Sequence, residues 1–148
     1  MRKLLAVLLS LLMLVTMSAC SSNKTAESNY GEGFTFTIAM ECAYAPYNWT
    51  QTDDSNGAVP IKGTNEYANG YDIMIAKKIC EANNWELEVI RSDWDSLVPS
   101  VQTGVIDAAI AGQSMTKERS EQVDFAGPYY YASFAILVKK DSELANLT

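Results

Sequence analysis

Three short stretches of this sequence carry side chains that together can bind a small carboxylate. The richest spans residues 112–119 and includes Gly112, Ser114 and Arg119. An arginine guanidinium is a planar donor with two parallel N–H groups, which suits it to hold a carboxylate. Gly112 leaves the backbone open to a ligand, and the Ser114 hydroxyl can donate a further hydrogen bond. This stretch therefore predicts an anion clamp.

The other two stretches supply a carboxylate and aromatic rings. Glu41 and Tyr44 lie in residues 41–47, and Trp94 lies in residues 92–95. Aromatic walls beside an anion clamp are typical of a pocket for a small carboxylate-bearing molecule. Taken singly, these residues have ordinary explanations, because rings often lie at the edge of a core and charges are often solvated. The functional interpretation depends on all three stretches meeting in one place.

The overall composition excludes several classes of function. The 148 residues include 11 Lys and Arg, 18 Asp and Glu, and no His, for a net charge of −7. A chain without histidine has no His-based catalytic triad and no His-ligated metal. An acidic chain also lacks the basic surface that binds nucleic-acid phosphates or anionic lipids. We therefore expect no nucleic-acid partner, no metal and no cofactor.

The N-terminus has the pattern of a bacterial lipoprotein signal. Two basic residues precede an apolar run over residues 4–15, which is too short to span a bilayer comfortably. Small residues then lead to Cys20, and this arrangement resembles a lipobox, whose cysteine becomes lipidated. An ordinary signal peptide or an uncleaved anchor is the alternative. We predict a lipoprotein signal peptide over 1–19 and a flexible tether over 20–33.

A signal of this kind predicts that the folded part lies outside the cytoplasm, on the outer face of the bacterial cell membrane. In a Gram-negative cell this location is the periplasm. Such a compartment permits a disulfide between the two other cysteines, Cys42 and Cys80. The spacing does not decide whether they meet. Two unpaired, buried thiols are the simpler interpretation.

Strand and helix patterns alternate along the rest of the chain. In order, the predicted elements are a strand at 34–40, a polar loop or hairpin at 50–70, a helix at 71–82, a strand at 85–89, a helix capped by residues 92–95, a strand at 106–111, a short helix from Thr116 and an extended segment at 129–139. This order predicts an α/β fold with a largely parallel sheet. Ligands bind at the carboxyl ends of the strands in such sheets, and the three stretches follow strands.

Several motifs, in this order, resemble a known family. They are YAPY at 44–47, GYDI at 70–73, WDSLVP at 94–99, QTGVID at 102–107, AGQSMTKER at 111–119, VDF at 123–125 and PYY at 128–130. The combination is similar to the extracellular polar-amino-acid-binding proteins of ABC importers, solute-binding protein family 3. The resemblance implies a periplasmic-binding-protein-like lobe of type II, with a central, mostly parallel sheet.

In that family the ligand lies between two lobes that close on it. The resemblance implies that Arg119 clamps the α-carboxylate of an amino acid, helped by the Ser114 hydroxyl. The backbone at Gly112 would accept from the α-ammonium group, and Tyr44 and Trp94 would sandwich the side chain.

Glu41 stands where related proteins carry an acid that can reach a polar or cationic side chain. No residue is expected to be catalytic. The implied function is the substrate-binding component of an amino-acid ABC transporter, a monomer held by a lipid on Cys20 that delivers a free amino acid to the permease. The alternatives are an enzyme on the same scaffold, for which only Glu41 could act as acid or base, and the sensor domain of a signalling receptor.

The family pattern continues beyond a chain of this length. Its first lobe runs to a crossover strand, after which the chain forms a second lobe and returns. We therefore predict a first ligand-binding lobe at 34–131, incomplete without its C-terminal return segment. Residues 132–148 are predicted to be the crossover strand and the start of the second lobe. An incomplete lobe is expected to leave apolar surface exposed.

Overall fold

The computed structural model describes residues 30–146. The elements described below belong to the compact unit Glu32–Thr148. The predicted signal peptide, the predicted lipidation site at Cys20 and most of the predicted tether lie outside the described residues.

Strands and helices follow one another much as the sequence predicts. The strands are β1 Thr35–Met40, β2 Ala43–Tyr44, β3 Asn48–Gln51, β4 Val59–Pro60, β5 Tyr67–Asn69, β6 Glu86–Arg91 and β7 Ala108–Ala109. The α-helices are α1 Tyr71–Asn83, α2 Trp94–Gln102 and α3 Lys117–Ser120, and 3-10 turns cover Ser55–Gly57 and Glu143–Asn146.

The centre of the fold is a parallel sheet in the order β6-β1-β7. Ile38 of β1 pairs with Val89 of β6 on one side and with Ala108 of β7 on the other. Ile38, Ala39 and Met40 are all buried, so both faces of β1 are covered. The predicted α/β fold with a largely parallel sheet is confirmed, and its three strands end at one edge.

The helices cover this sheet with their apolar sides. α1 packs against β6, and α2 packs against β1 and β7. Ile73 and Ala76 of α1 and Leu97 of α2 are buried. α1 ends as predicted, because Asn84 adopts a left-handed conformation (φ 56°) and its N–H bonds the Cys80 carbonyl. Among the described residues, no helix has the length and apolar character needed to cross a membrane.

The start of α2 differs from the prediction. Asp93 is the N-cap residue, but its side chain accepts no capping hydrogen bond; its backbone oxygen accepts from the Ser96 N–H at 3.0 Å instead. The helix begins at Trp94, so Pro99 lies in its second half rather than near its start. A proline there forgoes the hydrogen bond to the carbonyl four residues earlier, that of Asp95.

The polar excursion at 50–70 is more ordered than a loop. It forms, with β2, an antiparallel sheet in the order β2-β3-β5-β4. The short strands β4 and β5 pair Val59 with Ala68 and Pro60 with Tyr67. Strands of two or three residues are too short to show an alternating pattern, which explains why the sequence indicates only a loop or hairpin here.

The last predicted strand and the extended segment are less regular than expected. Of residues 106–111, only Ala108–Ala109 pair with β1. No strand forms between Glu121 and Ser142, within the part of the chain that the structure describes. Tyr131 is 83% exposed and Phe134 is 100% exposed. The assignment of residues 132–148 to a crossover strand stays a prediction.

Cys42 and Cys80 are free and buried, in line with the simpler interpretation of unpaired thiols. Burial raises the pKa of the Cys42 thiol from 9.0 to about 11. The folded state therefore holds this proton more tightly than the unfolded chain does. As far as Cys42 contributes, the free energy of unfolding is constant at pH values below the pKa of the unfolded thiol, and it falls as the pH rises from that pKa to the pKa of the folded thiol.

We therefore expect the contribution of Cys42 to stability to be complete below pH 9 and to be lost between pH 9 and about pH 11. The total loss should be on the order of 2 kcal/mol. Urea unfolding of the wild type and of Cys42→Ala at pH 8 and pH 11 measures it. The variant should lose less stability over this interval, and an equal loss in both proteins contradicts the prediction.

Candidate functional site

The three stretches meet at the edge where the parallel strands end. An open cleft of about 390 Å³ lies there. Its lining contains all six of the predicted ligand-binding residues, which are Glu41, Tyr44, Trp94, Gly112, Ser114 and Arg119. The fold brings them together because β1, β6 and β7 run parallel and each is followed by one of the three stretches.

Three contacts hold Arg119: one to its backbone, one to the edge of its guanidinium group and one to the face of that group. Thr116 caps α3, and its hydroxyl accepts a hydrogen bond from the Arg119 backbone N–H at 3.2 Å. One guanidinium nitrogen, Nη1, donates to the Ser114 carbonyl at 3.0 Å. The Arg119 Cζ atom lies 5.3 Å from the centroid of the Trp94 ring, a cation–π contact. These contacts orient the guanidinium and leave most of its five N–H donors for a ligand.

Tyr44 and Trp94 supply aromatic rings to the lining of the cleft. Tyr44 and Tyr47 stack with their ring centroids 5.0 Å apart and an angle of 27° between their planes. Tyr44 is 47% exposed, so much of its ring is open to a ligand. Trp94 stands at the first position of α2. Flat apolar walls of this kind favour a ligand whose side chain has an extended hydrocarbon or planar part.

Gly112 is a position that only glycine fits well. Its φ is 63°, in the left-handed region that L-residues with a side chain rarely adopt. A Cβ atom there would lie 3.3 Å from Tyr44 Cε1 and 3.4 Å from Tyr47 Cγ. The backbone therefore passes directly behind the tyrosine pair, and the Gly112 N–H donates to the Tyr129 hydroxyl at 2.9 Å.

Glu41 supplies a negative charge to the lining of the cleft. It follows β1 and is half-buried. Among the described residues its carboxylate has no hydrogen-bond or ion-pair partner, whereas the nearby Arg91 pairs with Glu66 at 2.7 Å. Glu41 also lines an adjoining open depression of about 470 Å³ together with Arg91 and Asp93. The Glu41 carboxylate is thus available to a cationic group.

The sequence reasoning missed a group of residues beneath the cleft. Asp72, which belongs to the GYDI motif, is fully buried and accepts a hydrogen bond from the Tyr129 hydroxyl at 2.7 Å. Asn48 donates to the same carboxylate at 2.7 Å. In the sequence, the sign of this group is an aspartate in the first turn of a predicted helix. An aspartate there is also common on the surface, because the positive end of the helix dipole stabilises its charge.

The described residues contain no group of three or more His, Cys, Asp or Glu side chains that could hold a metal ion. The chemistry of the cleft is instead that of ion pairing. A cation, an anion and two aromatic rings line one cleft from separate loops, which matches a zwitterionic ligand with a further polar or charged end.

Comparison with known proteins gives the family. The family described as bacterial extracellular solute-binding proteins, family 3, matches residues 36–145. The chain belongs to this family. The match covers β1 through most of the described chain, including every residue of the cleft.

Curated proteins similar to this family 3 chain are named for binding amino acids or their derivatives. The octopine-binding periplasmic protein of Rhizobium meliloti is 32% identical over 75% of this chain and 34% of its own length. The arginine-binding extracellular protein ArtP of Bacillus subtilis is 30% identical over 99% of this chain and 52% of its own length. These names describe binding proteins rather than enzymes, in agreement with the prediction. This family 3 chain thus spans about a third to a half of the length of these relatives.

Solved structures similar to this family 3 chain include arginine-bound proteins. A point mutant of the arginine-bound form of domain 1 from TmArgBP aligns with a TM-score of 0.53 and 29% identity, over 65% of each chain. A substrate-binding protein of an amino acid ABC transporter from Streptococcus pneumoniae, bound to L-arginine, aligns with a TM-score of 0.56 and 32% identity, over 65% of this chain and 36% of that one. The predicted type II periplasmic-binding-protein-like lobe is confirmed.

Proposed function

We propose that this chain is the extracytoplasmic substrate-binding component of an amino-acid ABC transporter, which captures a free amino acid by its α-carboxylate. The observation that carries the proposal is the Arg119 guanidinium, which the Ser114 carbonyl and the Trp94 ring orient inside the cleft. A fixed guanidinium fork loses little entropy when it binds a carboxylate in two parallel hydrogen bonds.

The remaining groups account for the rest of an amino acid. The Ser114 hydroxyl supports the α-carboxylate, and the backbone carbonyl of Gly112 accepts from the α-ammonium group. The side chain lies between Tyr44 and Trp94, whose rings line the same cleft. Each charged group of the ligand then faces an opposite charge or a dipole, so that desolvation of the ligand is compensated.

A cationic side chain is the best match to the Glu41 carboxylate in the cleft. Glu41 is half-buried and has no protein partner among the described residues. The relatives are named for arginine, histidine and octopine binding, and two solved neighbours hold arginine. A guanidinium placed between two aromatic rings also gains cation–π attraction. We therefore propose that the ligand is an amino acid with a cationic side chain, with arginine as the first candidate.

The partners follow from this role. The predicted first lobe at 34–131 closes about a hinge onto a second lobe when the ligand binds. The loaded protein then delivers its ligand to the permease subunits in the membrane. A lipid on Cys20 holds the protein at the outer face of the cell membrane, and a monomer suffices for this task.

Calorimetry on the complete mature protein with each of the twenty common amino acids tests the proposal. We expect saturable binding of arginine, with weaker binding of lysine and histidine, and no release of product on long incubation. Absence of binding to every amino acid would overturn the assignment, and turnover of the ligand would favour the enzymatic alternative.

Glu41→Gln is expected to reduce the preference for cationic ligands, because the amide removes the charge and keeps the shape. Arginine should bind about 10-fold to 100-fold more weakly, while glutamine binding should change little. Glu81→Gln, which makes the same change at an exposed position of α1, is the matched control. Equal weakening of arginine and glutamine by Glu41→Gln would contradict the role of Glu41 in specificity.

A further inference from the structure

A chain of hydrogen bonds runs from the core to the floor of the cleft. The Asn48 side-chain N–H donates to Asp72 Oδ2 at 2.7 Å, the Tyr129 hydroxyl donates to Asp72 Oδ1 at 2.7 Å, and the Gly112 N–H donates to the Tyr129 hydroxyl at 2.9 Å. We call these four residues the Asp72 network. Their positions in the sequence are far apart, so that only the fold brings them together.

The direction of each hydrogen bond in the Asp72 network is fixed. A carboxylate can only accept, so the single proton of the Tyr129 hydroxyl must point to Asp72. The oxygen of that hydroxyl is then left to accept from the Gly112 N–H. Burial, together with the hydrogen bond to Asp72, raises the pKa of Tyr129 above its usual range, and the hydroxyl stays protonated and able to donate.

The start of α1 also fixes residues 44–47, which we call the tyrosine loop. The Asp72 backbone N–H donates to the Tyr47 carbonyl at 2.9 Å, and the Tyr71 N–H donates to the Pro46 carbonyl at 3.1 Å. The start of α1 therefore holds one wall of the cleft through its backbone. The Asp72 side chain holds the Gly112 loop at the same time.

A buried carboxylate is costly unless it is well hydrogen-bonded, and Asp72 is 0% exposed. Its interactions converge on the ligand cleft from two sides. We propose that Asp72 and Tyr129 are positioning residues that set the Gly112 backbone for the α-ammonium group of a bound amino acid. This inference rests on the proposed function, in which the Gly112 carbonyl accepts from that group.

The physical reason lies in the freedom of glycine. Gly112 has no side chain to restrict its dihedral angles, and a loop with a glycine at this point would sample several orientations of its carbonyl. The hydrogen bond to Tyr129 fixes the peptide on the N-terminal side of Gly112, and the stacked Tyr44 and Tyr47 rings pack behind it. With its N–H held and the rings packed against its Cα, Gly112 has fewer orientations of its carbonyl to lose when the ligand binds.

Tyr129→Phe tests the proposal, because it removes one hydroxyl and keeps the ring. The ligands are L-arginine and its des-amino analogue, which has the same carboxylate and guanidinium but no α-ammonium group. Calorimetry should show arginine binding about tenfold more weakly, with the analogue changed by less than about twofold. Asp72→Asn should change the same ratio in the same direction. Tyr67→Phe, at a half-buried tyrosine of β5, should change neither affinity.

A second measurement does not need a ligand. Amide hydrogen exchange at Gly112, followed by NMR in the free protein, should be about tenfold faster in Tyr129→Phe than in the wild type, because the N–H loses its acceptor. Unchanged exchange, or equal weakening of both ligands, overturns the positioning role. A wild-type protein that binds no amino acid refutes the proposed function, and the exchange rate then tests the positioning of Gly112 by itself.

Discussion

Replacement of Arg119 by alanine is expected to weaken arginine binding by about 2–5 kcal/mol, which is roughly 30-fold to several thousand-fold in Kd. The variant removes the oriented guanidinium and leaves the α-carboxylate of the ligand in the cleft without its counter-charge. The loss includes the cost of a desolvated, unpaired carboxylate, which is why it exceeds that of a neutral hydrogen bond.

Two further variants separate charge from geometry at this position. Arg119→Lys keeps the charge but has no planar fork and no flat face for Trp94, so it should bind with intermediate affinity. Lys117→Ala removes an exposed cation two residues away on α3 and should leave binding almost unchanged. Calorimetry with L-arginine gives all three values. Wild-type affinity in Arg119→Ala, from a folded protein, would contradict the clamp.

Replacement of Gly70 by alanine is expected to have the largest effect on stability, about 3 kcal/mol or more. Gly70 has a φ of 129°, and a Cβ atom there would collide with the Tyr47 carbonyl oxygen and lie 2.7 Å from the Tyr47 carbonyl carbon. Both obstacles are backbone atoms, which cannot turn aside as the end of a side chain can. The variant must therefore separate the start of α1 from the tyrosine loop.

Gly63→Ala is the matched control for this substitution. Gly63 also has a positive φ, 77°, but a Cβ atom there would have no neighbour within 4 Å. It should cost about 1 kcal/mol through backbone strain alone. Urea unfolding of the two variants then isolates the steric part of the Gly70 effect. Equal destabilisation by both variants would show that the close approach of α1 to Tyr47 does not matter.

The parts of the fold that the sequence predicts are those with enough residues to show a period. β1 alternates large apolar residues with smaller ones, and α1 repeats its apolar residues at helical spacing up to Asn84. The order of these elements is then enough to indicate a parallel sheet. β2, β4 and β5 have two or three residues each, so no pattern marks them. The predicted strand at 106–111 exists, but only Ala108–Ala109 of it form β7.

The cleft could be located from the sequence, but its internal contacts could not. Each stretch follows a strand, and parallel strands end at one edge, which is sufficient to bring Glu41, Trp94 and Arg119 to one cleft. The hydrogen bond between Tyr129 and Asp72 joins residues 57 positions apart. Nothing in the local pattern of either residue specifies the other, because their meeting depends on how the whole chain packs.

The placement of the cleft residues on separate loops has an evolutionary consequence. The proposed contacts to the groups that all amino acids share come from residues 112–119, after β7. The proposed contacts to the variable side chain come from residues 41–47 and from Trp94, after β1 and β6. Substitutions in the loops after β1 and β6 can therefore change which amino acid is preferred, while residues 112–119 and their proposed contacts to the shared groups stay unchanged. Specificity for a new amino acid can therefore evolve through single substitutions, without an intermediate protein that no longer binds amino acids.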